Sequence, residues 1–178
     1  MKKREDGTVV FATPLGKGHV PMISLADFGF FARYTFDNRS LTSSADLKIG
    51  SDWVSWEHLR STFEKVTGQK AEVIYQAIEE WLENFVGMDL PLAADHIPGD
   101  GSITRRENFT TWWALYRDEK IQRDWDWIRT VNPHGHTLEK WMREQNYGEN
   151  VLGGTKSVLK LHEDGNSPGP DFERIAQL

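Results

Sequence analysis

Acidic side chains set beside indoles are the first residues in this sequence able to do chemistry. Asp124-Trp125-Asp126-Trp127 offers two carboxylates and two indole rings in four positions, Glu80 precedes Trp81, and Asp95-His96 joins a carboxylate to an imidazole. A carboxyl group held against an apolar aromatic wall is pushed toward its protonated form, which suits it to donate a proton. Asp124, Glu80 and His96 are therefore the proton-transfer candidates. On a helix, positions i and i+2 point in different directions, so Asp124 and Asp126 do not make a paired-acid site. The rings expected to wall a pocket are Trp81, Phe85, Trp112, Trp113 and Tyr116, whose flat faces suit an organic ligand. The plainer alternatives are a solvated helix face for the acids and a packed core for the rings.

Three other spacings suggest chemistry and fall short of it. Gly16-Lys17-Gly18 follows the β-branched run Thr8-Val9-Val10-Phe11, as the glycines of a dinucleotide-binding turn follow their strand. The third glycine would stand at position 21, which is Pro21, and no acidic residue ends a second strand about 20 residues on, where a ribose is held. A plain turn is expected, with no cofactor. Tyr116 and Lys120 stand at i and i+4, a spacing that brings an ammonium beside a phenol. Tyr116 also belongs to an aromatic stripe, and that bare spacing arises by chance. His134-Gly135-His136 holds a metal only with further ligands, and none stands at a metal-binding spacing. Surface-loop histidines and no metal are expected.

These side chains need elements to position them. Residues 8–13 read as a strand ended by Pro14, and Ser24-x-x-Asp27 resembles a capping box with Asp in place of Glu. Leu25, Phe28, Ala32 and Phe36 then follow at helical spacing, until Asp37–Ser40 ends the helix. Leu47–Gly50 reads as a short strand. Trp53, Trp56, Leu59, Phe63 and Val66 form one helical face closed by Gly68. Ala71–Tyr75 predicts a strand, and Ala77, Ile78, Trp81, Leu82 and Phe85 a helix. Residues 87–104, rich in Gly, Pro and Asp, predict a long exposed loop. From Arg105 to about Thr130 the helical pattern is strongest, with Phe109, Trp112, Trp113 and Tyr116 continued by Ile121, Trp125 and Ile128. Asn132–Gly135 breaks it and Thr137 opens a last helix. The expected class is α+β: a small, partly parallel sheet of few strands with several packed helices. Residues 1–150 form the domain, and 151–178 a polar, loosely ordered tail.

Composition narrows the partners. The chain has 178 residues, enough for one domain with a real core. Its net charge of −6, without a basic stripe, argues against nucleic acid. No apolar run approaches the ~18 residues that span a bilayer, and the start, MKKREDG, lacks the apolar segment of a secretory signal. Absence of cysteine excludes disulfides and thiolate metal sites and fits a cytoplasmic protein. Eight Trp and nine Phe promise either a large aromatic core or an aromatic-lined pocket for a small molecule.

Three long blocks, "GTVVFATPLGKGHVPMISLADFGFFARYTFDN", "LKIGSDWVSWEHLRSTFEKVTGQKAEVIY" and "TTWWALYRDEKIQRDWDWIRTVNPHGHTLEKWMRE", taken in order, resemble fungal NmrA-like proteins. These are atypical short-chain dehydrogenase/reductases that include a nitrogen regulator and relatives of isoflavone reductase. The resemblance runs from about Gly7 to Gly148 and covers only the C-terminal, substrate-side half of that family, without the nucleotide-binding half. It implies that residues 11–21 are a late sheet strand and its turn, and that Tyr116 and Lys120 lie away from the family's catalytic positions. It also implies strands 8–13, 47–50 and 71–75 at the edge of a parallel-rich sheet, where an uncovered face would favour a C2 homodimer.

Three functions are open at this stage. The first is a cofactor-independent enzyme of fungal specialised metabolism, performing acid/base isomerisation, rearrangement or cyclisation of an aromatic or polycyclic molecule. The second is a non-enzymatic regulator or binding module. The third is an NAD(P)-dependent oxidoreductase whose cofactor half is missing from this chain. Shortness and aromatic richness favour the first.

Overall fold

A computed structural model describes residues 2–92, 97, 99–148 and 169–178. Its elements, in chain order, are β1 (Lys2–Lys3), β2 (Val9–Thr13), β3 (Val20–Met22), α1 (Leu25–Asp37), α2 (Arg39–Thr42), β4 (Asp52–Val54), α3 (Trp56–Thr67), β5 (Ala71–Tyr75), α4 (Ile78–Leu82), β6 (Phe85–Val86), α5 (Arg105–Arg117), α6 (Trp125–Val131), α7 (Leu138–Glu144), β7 (Gly169–Pro170) and α8 (Phe172–Ile175). The class is α+β. Among the described residues no helix is long and apolar enough to cross a membrane.

The sheet is organised by β2. Val9, Val10, Phe11 and Thr13 are all buried, the continuous run expected of a strand covered on both faces. It pairs in parallel with β5, Val9 opposite Ala71 through Thr13 opposite Tyr75, and antiparallel with β1 at Val9 and Val10. One face packs on α3 and α7 through Phe11, Phe63, Leu138 and Met142, with the Phe11 and Phe63 rings edge to face at 5.4 Å. On the other face, Val10 is buried, the Trp81 indole N–H donates to the Ala12 carbonyl at 3.2 Å, and Trp81, Phe85, Ile175 and Leu178 close a small cavity with Val10 and Ala12.

That second cover corrects an expectation. The last ten residues return to the fold: β7 pairs antiparallel with β6 in a separate two-stranded ladder, Asp171 N–H donates to the Asn84 carbonyl at 2.8 Å, and the Arg4 guanidinium donates to Leu178 O at 2.8 and 3.1 Å. The uncovered sheet face expected to drive dimerisation is therefore covered by this chain's own α4 and C-terminal segment. Of the proposed tail, 169–178 is built into the fold, while 151–168 lies outside the described residues. Large apolar side chains are left exposed instead on and after α1, at Leu25, Phe28, Phe36 and Leu41.

Other differences have local causes. Residues 47–50 carry no strand; the ladder begins at Asp52, where β4 pairs antiparallel with β3. Trp53 accordingly leaves the α3 face and stacks on His19, 5.4 Å between centroids. Phe85 likewise leaves α4 and enters β6. The long helix expected over 105–130 is two, because Glu119 takes a left-handed φ of 51°. There Glu119 N–H donates to the Tyr116 carbonyl and Lys120 N–H to the Leu115 carbonyl, closing α5 with a Schellman motif. The loop 87–104 is tied at its base, with Leu92 N–H donating to the Ile103 carbonyl and Arg106 N–H to the Met88 carbonyl.

The glycines of the near-miss cofactor motif have structural duties. Gly16 sits at φ 56°, and a Cβ on Gly18 would come within 2.5 Å of the Tyr116 carbonyl oxygen. The turn therefore seats the end of α5 against the chain leaving β2.

Candidate functional site

The polar centre of the molecule is Asp27, 5% exposed, in the first turn of α1. Ser24 caps that helix: its Oγ accepts from Asp27 N–H at 3.1 Å. In a capping box the acid would reach back to the cap's own N–H. Asp27 is too short for that, and Ser51 fills the gap. Ser24 N–H donates to Ser51 Oγ at 3.0 Å, and Ser51 Oγ donates in turn to Asp27 Oδ2. A residue beside β4 thus completes the cap of α1.

The remaining lone pairs of Asp27 gather the loop between α6 and α7. Asn132 Nδ2 donates to Oδ1 at 3.1 Å, and His136 N–H to Oδ2 at 2.9 Å. Burial alone pushes this carboxyl up, but the hydrogen bonds from Ser51, His136 and Asn132 and the nearby imidazole outweigh it, and its pKa lies below the ordinary Asp value. Arg129 reinforces the junction, its guanidinium donating to the carbonyls of both Ser51 and His136. Gly135 lies in the tight return, where a Cβ would crowd Asn132 Nδ2 at 3.0 Å.

This scaffold delivers His136, with a side chain 12% exposed. Its Nδ1 lies 2.8 Å from Ser24 Oγ and 3.6 Å from Asp27 Oδ2, and its Nε2 lies 2.7 Å from Glu144 Oε2 at the end of α7. A carboxylate only accepts, so Nε2 carries a hydrogen toward Glu144; in the neutral ring Nδ1 then accepts the Ser24 hydroxyl proton. Ser24, His136 and Glu144 form a hydroxyl–imidazole–carboxylate relay.

The relay opens on a cleft of about 490 Å³. Ser24, Ser51, Asp52, His136, Thr137 and Gln145 supply its polar lining, and Met22, Ile23, Leu25, Val54, Leu138 and Trp141 its apolar walls. Asp52 is committed to the scaffold, its Oδ2 accepting from Leu138 N–H at 2.7 Å at the start of α7. Such a volume with few convergent polar groups suits a small, largely apolar molecule.

The side chains singled out in the sequence are placed elsewhere. Asp124 is exposed and caps α6, its Oδ1 accepting from Trp127 N–H at 2.9 Å. Glu80 is exposed and accepts from Gln76 Nε2 at 3.2 Å. His96 lies outside the described residues. Trp81, Phe85, Trp113 and Tyr116 are brought together, but as a second core around Leu15, Ile78, Leu82 and Met88, with Trp112 against its edge. None of them lines the large cleft. The two histidines expected on the surface part company: His134 is exposed, whereas His136 is drawn inward.

The signals missed were faint. Ser24 and Asp27 are legible as a cap, and His136 as an imidazole in a loop, but nothing in the sequence joins segments more than a hundred residues apart. Among the described residues, no group of three or more His, Asp or Glu is placed to hold a metal ion. No protein-family model matches this chain, and no curated protein matches it.

Proposed function

We propose that the cleft beside His136 is the site of a cofactor-independent acid/base enzyme acting on an aromatic or polycyclic small molecule, by isomerisation, rearrangement or cyclisation. The observation that carries this reading is the Ser24–His136–Glu144 relay on the wall of a mostly apolar cleft. An imidazole held at both nitrogens is oriented for proton transfer. In this reading His136 takes up or returns the proton at Nδ1. Glu144 steadies the ring at Nε2, and the Asp27 carboxylate stands 3.6 Å from Nδ1. Trp141 offers the aromatic wall on which a flat substrate or a developing cation rests. The proton-transfer role thus moves from Asp124, Glu80 and His96 to His136, while the reaction class stays the one suggested by the sequence.

Deuterium exchange tests the reading. Polycyclic and aromatic ketones incubated with the protein in D2O should acquire deuterium beside the carbonyl, followed by NMR, and His136→Gln should slow this by about 100-fold or more. Ligands that saturate the cleft without any exchange catalysed by the wild-type protein overturn it. A stabilising shift in melting temperature with NADP(H) would favour an oxidoreductase instead.

A further inference from the structure

We infer that Ser24 is a nucleophile and that this cleft hydrolyses small apolar esters through an acyl-serine. The inference rests on His136 being the proton-transfer group proposed above.

Ser24 Oγ has one hydrogen and two lone pairs. With the neutral ring's hydrogen on Nε2 toward Glu144, the Ser24 hydrogen is donated to His136 Nδ1, 2.8 Å away, and one lone pair accepts Asp27 N–H at 3.1 Å. The second lone pair remains for attack, on a side chain that lines the cleft. Hydroxyl, imidazole and carboxylate stand in the order used by serine hydrolases, with the two ring nitrogens exchanged: Nδ1 serves the serine and Nε2 the acid. That relay, rather than the helix end, makes the site. The helix end adds to it, because the amides of Leu25 and Ala26 in the first turn of α1 have no acceptor within the helix and carry its positive pole. Met22, Val54, Leu138 and Trp141 give the acyl group an apolar berth.

The reaction balances with water as the co-reactant. Ser24 Oγ attacks the ester carbonyl carbon, its proton passes to His136 Nδ1, and the carbonyl π electrons move onto oxygen beside the first-turn amides. Collapse breaks the bond to the leaving alcohol, which takes the proton from His136 Nδ1. Water, deprotonated by the same nitrogen, then attacks the acyl-serine. Its proton returns to Ser24 as the acyl bond breaks, and a carboxylic acid is released.

An alkyl fluorophosphonate reports on this step directly, because attack by an activated serine displaces fluoride and leaves a stable adduct. Peptide mass spectrometry should place one adduct on Ser24, and p-nitrophenyl butyrate should be hydrolysed. Ser24→Ala should abolish both. Ser24→Asn, which keeps a capping oxygen but no hydroxyl, should do the same in a chain whose circular dichroism is unchanged. His136→Gln should slow labelling by about 100-fold or more, and Glu144→Gln by a smaller factor. No adduct on Ser24, or labelling that is equally fast in His136→Gln, overturns the inference. Deuterium exchange into ketones judges the acid/base reading separately, so exchange without an adduct removes only the acyl-serine.

Discussion

Around Trp113, the rings of Trp56, Trp81 and Trp112 lie within 6.0 Å between centroids, and the indole N–H of Trp113 is buried with no described partner. Around Asp27, buried Ser51 and Asn132 and the His136 backbone are all hydrogen-bonded to one carboxylate. The first region tolerates an unsatisfied donor because it is held by contact area, which has no direction. The second is held by directed bonds, and each one fixes where a neighbouring segment must sit. The aromatic cluster borders only a small cavity of about 90 Å³, at Trp81 and Phe85, whereas the polar knot stands beside a cleft of about 490 Å³. In this chain the aromatic residues build the body and the small polar residues aim the site.

Substitutions can break or sharpen that contrast, and urea unfolding reads each of them. Trp113→Ala should cost most, about 3–5 kcal/mol, because the cavity it leaves lies among rigid rings. Trp113→Phe should cost less than about 1.5 kcal/mol, since the lost volume is partly offset by removing the orphan N–H. Neither should change His136-dependent exchange or fluorophosphonate labelling, and a large loss in either would mean that the two regions are not independent. Asp27→Asn follows at roughly 2–3 kcal/mol, as charged acceptors are replaced by a weaker amide. Its pH dependence has a definite sign. The native carboxyl has a lowered pKa, so its contribution is complete above the unfolded value near pH ~4 and is lost as pH falls through the lower folded value. The variant should lack that part of the acid limb. Ser51→Ala comes next, about 1–2 kcal/mol, through the two bonds that close the α1 cap. Smallest are the carboxylates first singled out: Asp124→Ala about 1 kcal/mol as a lost cap, and Glu80→Gln within about 0.5 kcal/mol.

The same division decides what could be read in the sequence. Strand 9–13 is legible because its unbroken apolar and β-branched run states its own burial, 71–75 through the strand formers Val73, Ile74 and Tyr75 although only Ala71 in it is buried, and α3 because its apolar spacing and the Gly68 cap agree. The break after α5 is not, since it turns on Glu119 adopting a conformation normally left to glycine. The site is the least legible part. Ser24, Ser51, Asn132 and His136 are common residues in loops and caps, and their meaning comes only from meeting at Asp27. The aromatic residues announced themselves by type and spacing, and that signal described packing. A pattern records which face of an element is buried, but not which distant loop will be tied to it.

The serine inserted into the α1 cap has a kinetic consequence. Ser51 accepts from one amide of the helix start and donates to the carboxylate that holds the amide of His136. To expose any of these protons to solvent, the β4 entry, the first turn of α1 and the loop before α7 must come apart together. Their amide hydrogens should then exchange with solvent at matched rates and with one shared dependence on denaturant, the mark of a single cooperative opening unit assembled from three distant stretches of chain.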